Sequence, residues 1–369
     1  MAIDKITTAA ITDGTITSSD LASGTIQNQS AFKNLIINGD MSQAQRSTSE
    51  TGITGAGYAT LDRFRLGGSV PGTWTWSQST TVPTGQGFAK SMKIDCTTAE
   101  GSLGASDTMY FQHKIEGQNL QYLKKGTSSA ESLTLSFWVR SAKTGTYIAM
   151  LFDNDNNRHI SKSYTISSAD TWEKKTITYD GDTTGAFDND NASSLEVWLW
   201  LAAGSNNSSG TLATSWASTT NANNAVGQVN LADSTSNDFY ITGIQLEAGT
   251  SASDFEFLPV DVNLKRCQRY YWKNNSSNSS FGSGVFSTST APQLYVQHPT
   301  NMRAAPSFSF SSNINVGSGS ASNTVSSLSV NSGILTSFVT CNLSGSGGNA
   351  QNGAVGYITS GYIDASSEL

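Results

Sequence analysis

Apolar and polar residues alternate along most of the chain. Leu133, Leu135, Phe137 and Val139 alternate with Thr134, Ser136, Trp138 and Arg140, and Leu195, Val197, Leu199 and Leu201 alternate with Glu196, Trp198 and Trp200. A period of two is that of a strand with one face toward a core. Shorter runs at 61–66, 73–77, 88–95, 147–152, 172–179 and 239–246 read the same way, separated by loops rich in Asn, Asp, Ser and Gly. Many strands joined by polar loops predict a β-sandwich, and at this length a jelly roll. Trp74 and Trp76 alternate only with Thr73, Thr75 and Ser77, so the tryptophans themselves are expected in the core. VNLKRCQRYYWK at 262–273 is the best helical pattern, with Lys265, Arg269 and Lys273 spaced four apart on a solvated face. Tyr270, Tyr271 and Trp272 are expected to pack between two β domains, and the residues from Phe281 onward again read as short strands.

The first thirty residues carry a different period. Ile6, Ile11, Ile16, Leu21 and Ile26 fall on every fifth position, and Gly14-Thr15-Ile16 recurs as Gly24-Thr25-Ile26. A segment this short and polar cannot cover its own apolar side, so it is expected to wind with sister copies as a stalk. The expected organisation is therefore all-β. An intertwined anchoring and trimerisation repeat over 1–31 precedes a jelly-roll β-sandwich over 32–262. A short helical linker over 263–274 then leads to a smaller C-terminal β-sandwich domain over 275–369.

Composition supports this picture and removes alternatives. Charged residues are 13% of the 369, while eight Trp, fifteen Phe and twelve Tyr are enough to fill real cores. With a net charge of −7 and no basic cluster, a nucleic-acid surface is not expected. No apolar run reaches the ~18 residues of a membrane span. MAIDKITT lacks the apolar segment of a secretory signal. Cys96, Cys267 and Cys341 lie far apart and are odd in number, which predicts free thiols and synthesis in a reducing cytoplasm.

Three blocks of the chain resemble a known class. NLIINGDMSQAQRSTS (34–49), followed by GYATLDRFRLGG (57–68), resembles the opening of a domain common in bacteriophage fibre and virion structural proteins. FYITGIQLEAGTSASDFEFLPVDVNLKRCQRYYWK (239–273) is similar to a later part of it, and MRAAPSFSF (302–310) to a segment of the small β domain that follows. The resemblance implies a bacteriophage tail fibre or other virion fibre protein whose large domain is like carbohydrate-binding jelly rolls. It also implies a structural Ca²⁺ held by an acidic residue after an NG turn. Asp40 matches that position, but Thr242 and Gly243 stand where the partner acid is expected.

The residues suggest where such a protein would bind. A pyranose packs its C–H face on an aromatic ring while polar groups orient its hydroxyls. If the strands over 133–140 and 195–201 share a sheet, then Trp138, Arg140, Glu196, Trp198 and Trp200 line its outer face as a glycan platform; a covering loop or subunit would make the same face a packing surface. For metals, DGDTTGAFDNDN at 180–191 opens like a calcium loop with Asp180 and Asp182, yet Asn191 takes the place of the bidentate Glu. His113, His159 and His298 lie in no catalytic or metal motif, no nucleophile elbow or P-loop appears, and no enzyme or resident cofactor is expected. The expected function is a structural and adhesive fibre, a homotrimer joined to other virion proteins through its N-terminus. It would be made in the host cytoplasm and reside in the virion, binding host surface polysaccharide through many weak sites. A purely architectural appendage or head-decoration protein, and a polysaccharide depolymerase, are the alternatives.

Overall fold

The alternating runs become strands whose apolar faces meet. In the computed structural model these are β1 (Ser49–Ile53), β2 (Phe64–Gly68), β3 (Thr73–Ser79), β4 (Ser91–Thr98), β5 (Thr108–Glu116), β6 (Leu133–Ser141), β7 (Gly145–Asp153), β8 (Arg158–Ile166), β9 (Glu173–Tyr179), β10 (Ser193–Ala203), β11 (Ala217–Ser218) and β12 (Asp238–Ala248). They form two six-stranded antiparallel sheets, β1-β3-β4-β12-β6-β9 and β11-β8-β7-β10-β5-β2. The chain crosses repeatedly from one sheet to the other, as in the expected jelly roll. The structure describes residues 32–276, 281–288, 291–311, 315–318, 321–331, 333–334, 336–343 and 355–369. The five-residue grid of Ile6, Ile11, Ile16, Leu21 and Ile26, and with it the stalk, lies outside the described residues.

The core lies between the two sheets. Leu135, Phe137 and Val139 of β6 face Leu195, Val197 and Leu199 of β10 from the opposite layer, all of them buried. Trp74 and Trp76 are fully buried, as their pattern required, and Trp76 meets Phe111 edge-on at 6.1 Å while Phe111 stacks on Phe64 at 4.8 Å.

Beyond a single turn, α1 (Ser205–Ser208), the chain has one helix of length, α2 (Val260–Gln268), among the described residues. The helix expected through Lys273 stops short, because β13 (Tyr271–Ser276) pairs with a strand from the end of the chain. Lys265, Arg269 and Lys273 therefore do not share a helical face. Arg269 donates to both carboxylate oxygens of buried Glu116 at 2.8 Å, and Lys273 reaches the Arg46 carbonyl at 3.2 Å from a strand.

The remaining strands are β14 (Phe281–Thr288), β15 (Ala291–Gln297), β16 (Ser307–Phe310), β17 (Asn315–Ser318), β18 (Ala321–Asn331), β19 (Thr336–Leu343) and β20 (Val355–Ser366). The first half of β20 pairs with β14 and β17, and the second half with β13 and β16.

Asn34–Leu369 is one compact unit, and arginines make its joint. Arg63, fully buried, lies 3.4 Å over the Tyr270 ring, donates to the Lys114 carbonyl at 2.8 Å and pairs with Glu368. Arg46 lies 3.7 Å over Tyr271 and also pairs with Glu368, at 3.1 Å. Tyr270, Tyr271 and Trp272 are all buried in this joint.

Candidate functional site

The five residues proposed as one platform divide between the two sheets. Trp138 and Arg140 stand on β6, and Glu196, Trp198 and Trp200 on β10, in the opposite sheet. The shared-sheet condition is not met, so these residues do not form one surface.

On the β10 side the outward face is a packed layer. Trp200 is 1% exposed and packs with Ile148, Met150 and Ala225. Trp198 lies parallel to Tyr110, with ring centroids 4.1 Å apart, and against Phe152 at 5.3 Å. Tyr110 has room because residue 67 is glycine; a Cβ there would lie 2.1 Å from the tyrosine ring. Burial, then the charge of Glu196, pushes the Tyr110 hydroxyl up to about 12. Glu196 itself is buried. It accepts from Trp198 Nε1 at 2.7 Å, from Ser193 Oγ at 3.2 Å and from Gln112, and it pairs with Lys114 at 3.4 Å. A carboxylate offers about four acceptor positions, and internal partners occupy them here. Sugar hydroxyls would have to displace that network.

On the β6 side Arg140 is likewise engaged. It donates to the Asp170 carbonyl at 3.0 Å and carboxylate at 2.7 Å, and lies 4.7 Å over the Tyr240 ring. Trp138 is different. It lines an open cleft of about 330 Å³, together with Phe88, Phe255, Phe257, Lys174 and Asp254. Strand register sets the floor: Trp138 lies opposite Lys174 of β9 on one side and Thr242 of β12 on the other. The β12–β6 register then slips between Thr242 and Gln245, the mark of a bulge, with Gly243 at φ +64°. A Cβ on Gly243 would sit 2.5 Å from the Phe88 ring, so the glycine lets that ring lie down on the bulge. Phe88 meets Phe255 and Phe257 at 5.1 Å each, and those two meet at 4.9 Å, giving an apolar wall. Ser136 and Gln86 add polar groups to the lining. Sequence reasoning found Trp138 but not the phenylalanines. The signal available was the FEF spacing of two at 255–257, directly after the mostly polar run 250–254.

The metal candidates are held by protein groups. Asp182 takes two hydrogen bonds from Arg158, at 2.8 and 3.0 Å, and pairs with Lys125 at 3.1 Å. The Lys125 ammonium also pairs with Asp153 at 2.6 Å and donates to the carbonyls of Thr184 and Gly185 at 2.8 and 2.7 Å. A lysine thus stands among the oxygens that a calcium loop would present. Burial works to raise the Asp182 carboxyl, but Arg158 and Lys125 hold it below its ordinary value. Asp180 is exposed, and its carbonyl accepts from Trp216 at 2.7 Å. Asp40 accepts from Ser42 Oγ and Asn263 Nδ2, both at 3.1 Å, and Thr242 reaches only its carbonyl, at 3.5 Å. Among the described residues no group of three or more His, Cys, Asp or Glu is placed to hold a metal.

Among the described side chains, the cysteines and histidines are enclosed; Cys341 lies outside them. Cys96 and Cys267 are buried free thiols, and burial pushes the Cys267 thiol well up. His113, His159 and His298 are all buried; burial, aided by Arg63 and Arg266, pulls His113 down, so that it is a neutral acceptor for the Ile37 amide at 3.2 Å. Among the described residues no helix is long and apolar enough to cross a membrane.

No family model and no curated protein matches the chain. Several solved structures are similar in fold. The enzymatically active domain of tailspike protein 4 from bacteriophage CBA120 is 14% identical at a TM-score of 0.31, over 58% of this chain and 21% of that one. The chain thus spans about a fifth of that tailspike domain's length. A family 61 carbohydrate-binding module in complex with β-1,4-galactotriose is 10% identical at 0.30, over 58% of this chain and 98% of its own. The family 11 carbohydrate-binding module of a Clostridium thermocellum cellulosomal cellulase is 12% identical at 0.27, over 59% and 96%. At such scores these likenesses carry no weight for function, which rests on the cleft.

Proposed function

We propose that the chain is a non-catalytic, carbohydrate-binding β-sandwich carried on a fibre of a bacteriophage particle, and that the Trp138 cleft holds the sugar. One observation carries this: an indole beside the β12 bulge lines an open cleft of about 330 Å³ with one ammonium, one carboxylate and neutral hydrogen-bonding groups among its lining residues. That volume suits one or two sugar rings by the usual size of ligand pockets, roughly 300–1,000 Å³. The indole offers the C–H face its surface, and Lys174 and Gln86 bring hydrogen-bonding groups to the lining beside it. A single shallow cleft binds weakly, and a homotrimeric fibre multiplies it without any new contact. The resemblance of 34–49, 57–68 and 239–273 to virion fibre domains supports the setting, with the N-terminal repeat as the tether to other virion proteins.

The test is a glycan array and affinity electrophoresis in host polysaccharide, with the full chain and with Trp138→Ala. Sugar-dependent retention lost in Trp138→Ala is expected. Retention unchanged by Trp138→Ala would move the site elsewhere, and no retention on any glycan would leave a purely architectural appendage. A fall in polysaccharide viscosity on incubation would make the protein a depolymerase instead.

A further inference from the structure

Three phenylalanines are more apolar surface than a sugar's hydroxyls call for. Phe88, Phe255 and Phe257 touch one another at 4.9–5.1 Å, and together they line the cleft that holds Trp138. Phenylalanine carries no donor or acceptor, so a hydroxyl pressed on this wall gives up water and gains nothing. Phe257 is nevertheless left 50% exposed, whereas Phe88 beneath it is buried to 8%. A large ring held half in water at the mouth of a cleft is a surface with room for an apolar group to cover it. The backbone is arranged to keep the wall there: the bulge at Gly243, at φ +64°, seats Phe88, and Phe88 supports the other two rings. Lys174 and Asp254 bring both signs of charge to the lining, which suits hydroxyl and amide groups better than a net-charged sugar.

Resting on the saccharide function proposed above, we infer that the cleft selects a pyranose bearing a methyl-terminated substituent. The pyranose C–H face lies on Trp138, and the methyl group covers the Phe88–Phe255–Phe257 wall. An acetamido group and the C6 methyl of a 6-deoxy sugar share this chemistry. One added methyl-sized group in an apolar pocket is worth about tenfold or more in discrimination.

Calorimetric titration of the full chain with matched pairs tests this. N-acetylglucosamine against glucose reports on the acetamido arm, and L-fucose against L-galactose and L-rhamnose against L-mannose report on the deoxy arm. At least one methyl-bearing sugar should bind about tenfold tighter than its parent, and the arm that responds names the source. Phe257→Ser should bring that pair to within twofold while the parent sugar still binds, and Phe257→Leu should keep the difference. Because Phe257 is half exposed, both variants are expected to fold. If sugars bind but every pair is equal within twofold, or if Phe257→Ser leaves the preference intact, the selectivity is refuted and the saccharide function stands. If no sugar or polysaccharide binds at all, the saccharide function fails and this inference fails with it.

Discussion

Replacing Lys125 by methionine probes the lysine that stands in the acidic loop. Its side chain is 5% exposed, and those of Asp153 and Asp182 are 0% and 4% exposed. The ammonium lies 2.6 Å from Asp153 and 3.1 Å from Asp182, and donates to two carbonyls at 2.8 and 2.7 Å. Methionine preserves most of the stem's volume, so the change removes charge and donors with little lost packing. Asp182 keeps both Arg158 bonds, but Asp153 retains only the neutral amides of Asn156, at 3.0 and 3.1 Å. Removing one partner of a buried pair costs about 3–5 kcal/mol, and the Asn156 donors place this case near the lower end, about 3 kcal/mol. Guanidinium unfolding should show the midpoint falling with an unchanged slope. Adding Asp153→Asn removes the stranded charge, so the double variant should be at least ~1 kcal/mol more stable than additivity requires. A loss below about 1 kcal/mol for Lys125→Met, or additive losses, would refute the assignment of a charge-paired lysine here.

Three further changes test other parts of the structure. Burial, only partly offset by the Gln45 hydrogen bonds and Arg46, pushes Asp62 up to about 6, so folding takes up a proton between there and the ~3.9 of an unfolded aspartate. That contribution, about 3 kcal/mol, is fully present below about pH 4 and lost as pH rises through about 6; unfolding midpoints should fall more steeply with pH in the parent than in Asp62→Asn, and parallel curves would count against it. Glu368→Gln leaves the buried Arg63 guanidinium without its counter-charge, so ~3 kcal/mol of stability and the protease resistance of the C-terminal strands should be lost, whereas an unchanged digestion pattern would show that the pair does not hold the joint. Gly243→Ala puts a methyl 2.5 Å from the Phe88 ring at φ +64°, with an expected cost of ~1–3 kcal/mol and weakened sugar retention; a variant that binds and unfolds like the parent would mean the bulge does not set the wall.

What could be read from the chain, and what could not, follows from the range of the interaction involved. The strands at 133–140 and 195–201, and the burial of Trp74 and Trp76, were legible because a face is a property of neighbouring residues, written in a period of two. Which strands share a sheet is decided by pairings between distant segments, and no period reports it. Trp138 and Trp198 carry the same outward signature on β6 and β10, yet β6 lies between β12 and β9 while β10 lies between β7 and β5. The same limit hid the cation in the acidic loop. Asp182 reads as an ion ligand until Lys125, from a different part of the chain, is seen to supply the charge. It also shortened the helix, since Tyr271–Ser276 gains a full ladder with β20, from Ser366 down to Gly361, which a helical continuation would forfeit. The cleft is the extreme case. Its wall joins Phe88, from before β4, to Phe255 and Phe257, from after β12, and its floor is Trp138 of β6, so three separated segments meet only because β12 lies between β4 and β6. A binding surface assembled in this way leaves no local mark except an aromatic residue facing away from an aliphatic strand face. Trp138, Trp198 and Trp200 all bear that mark, and only the partners brought by the pairing separate the ring that borders a cleft from the two that stack against other aromatic and aliphatic side chains.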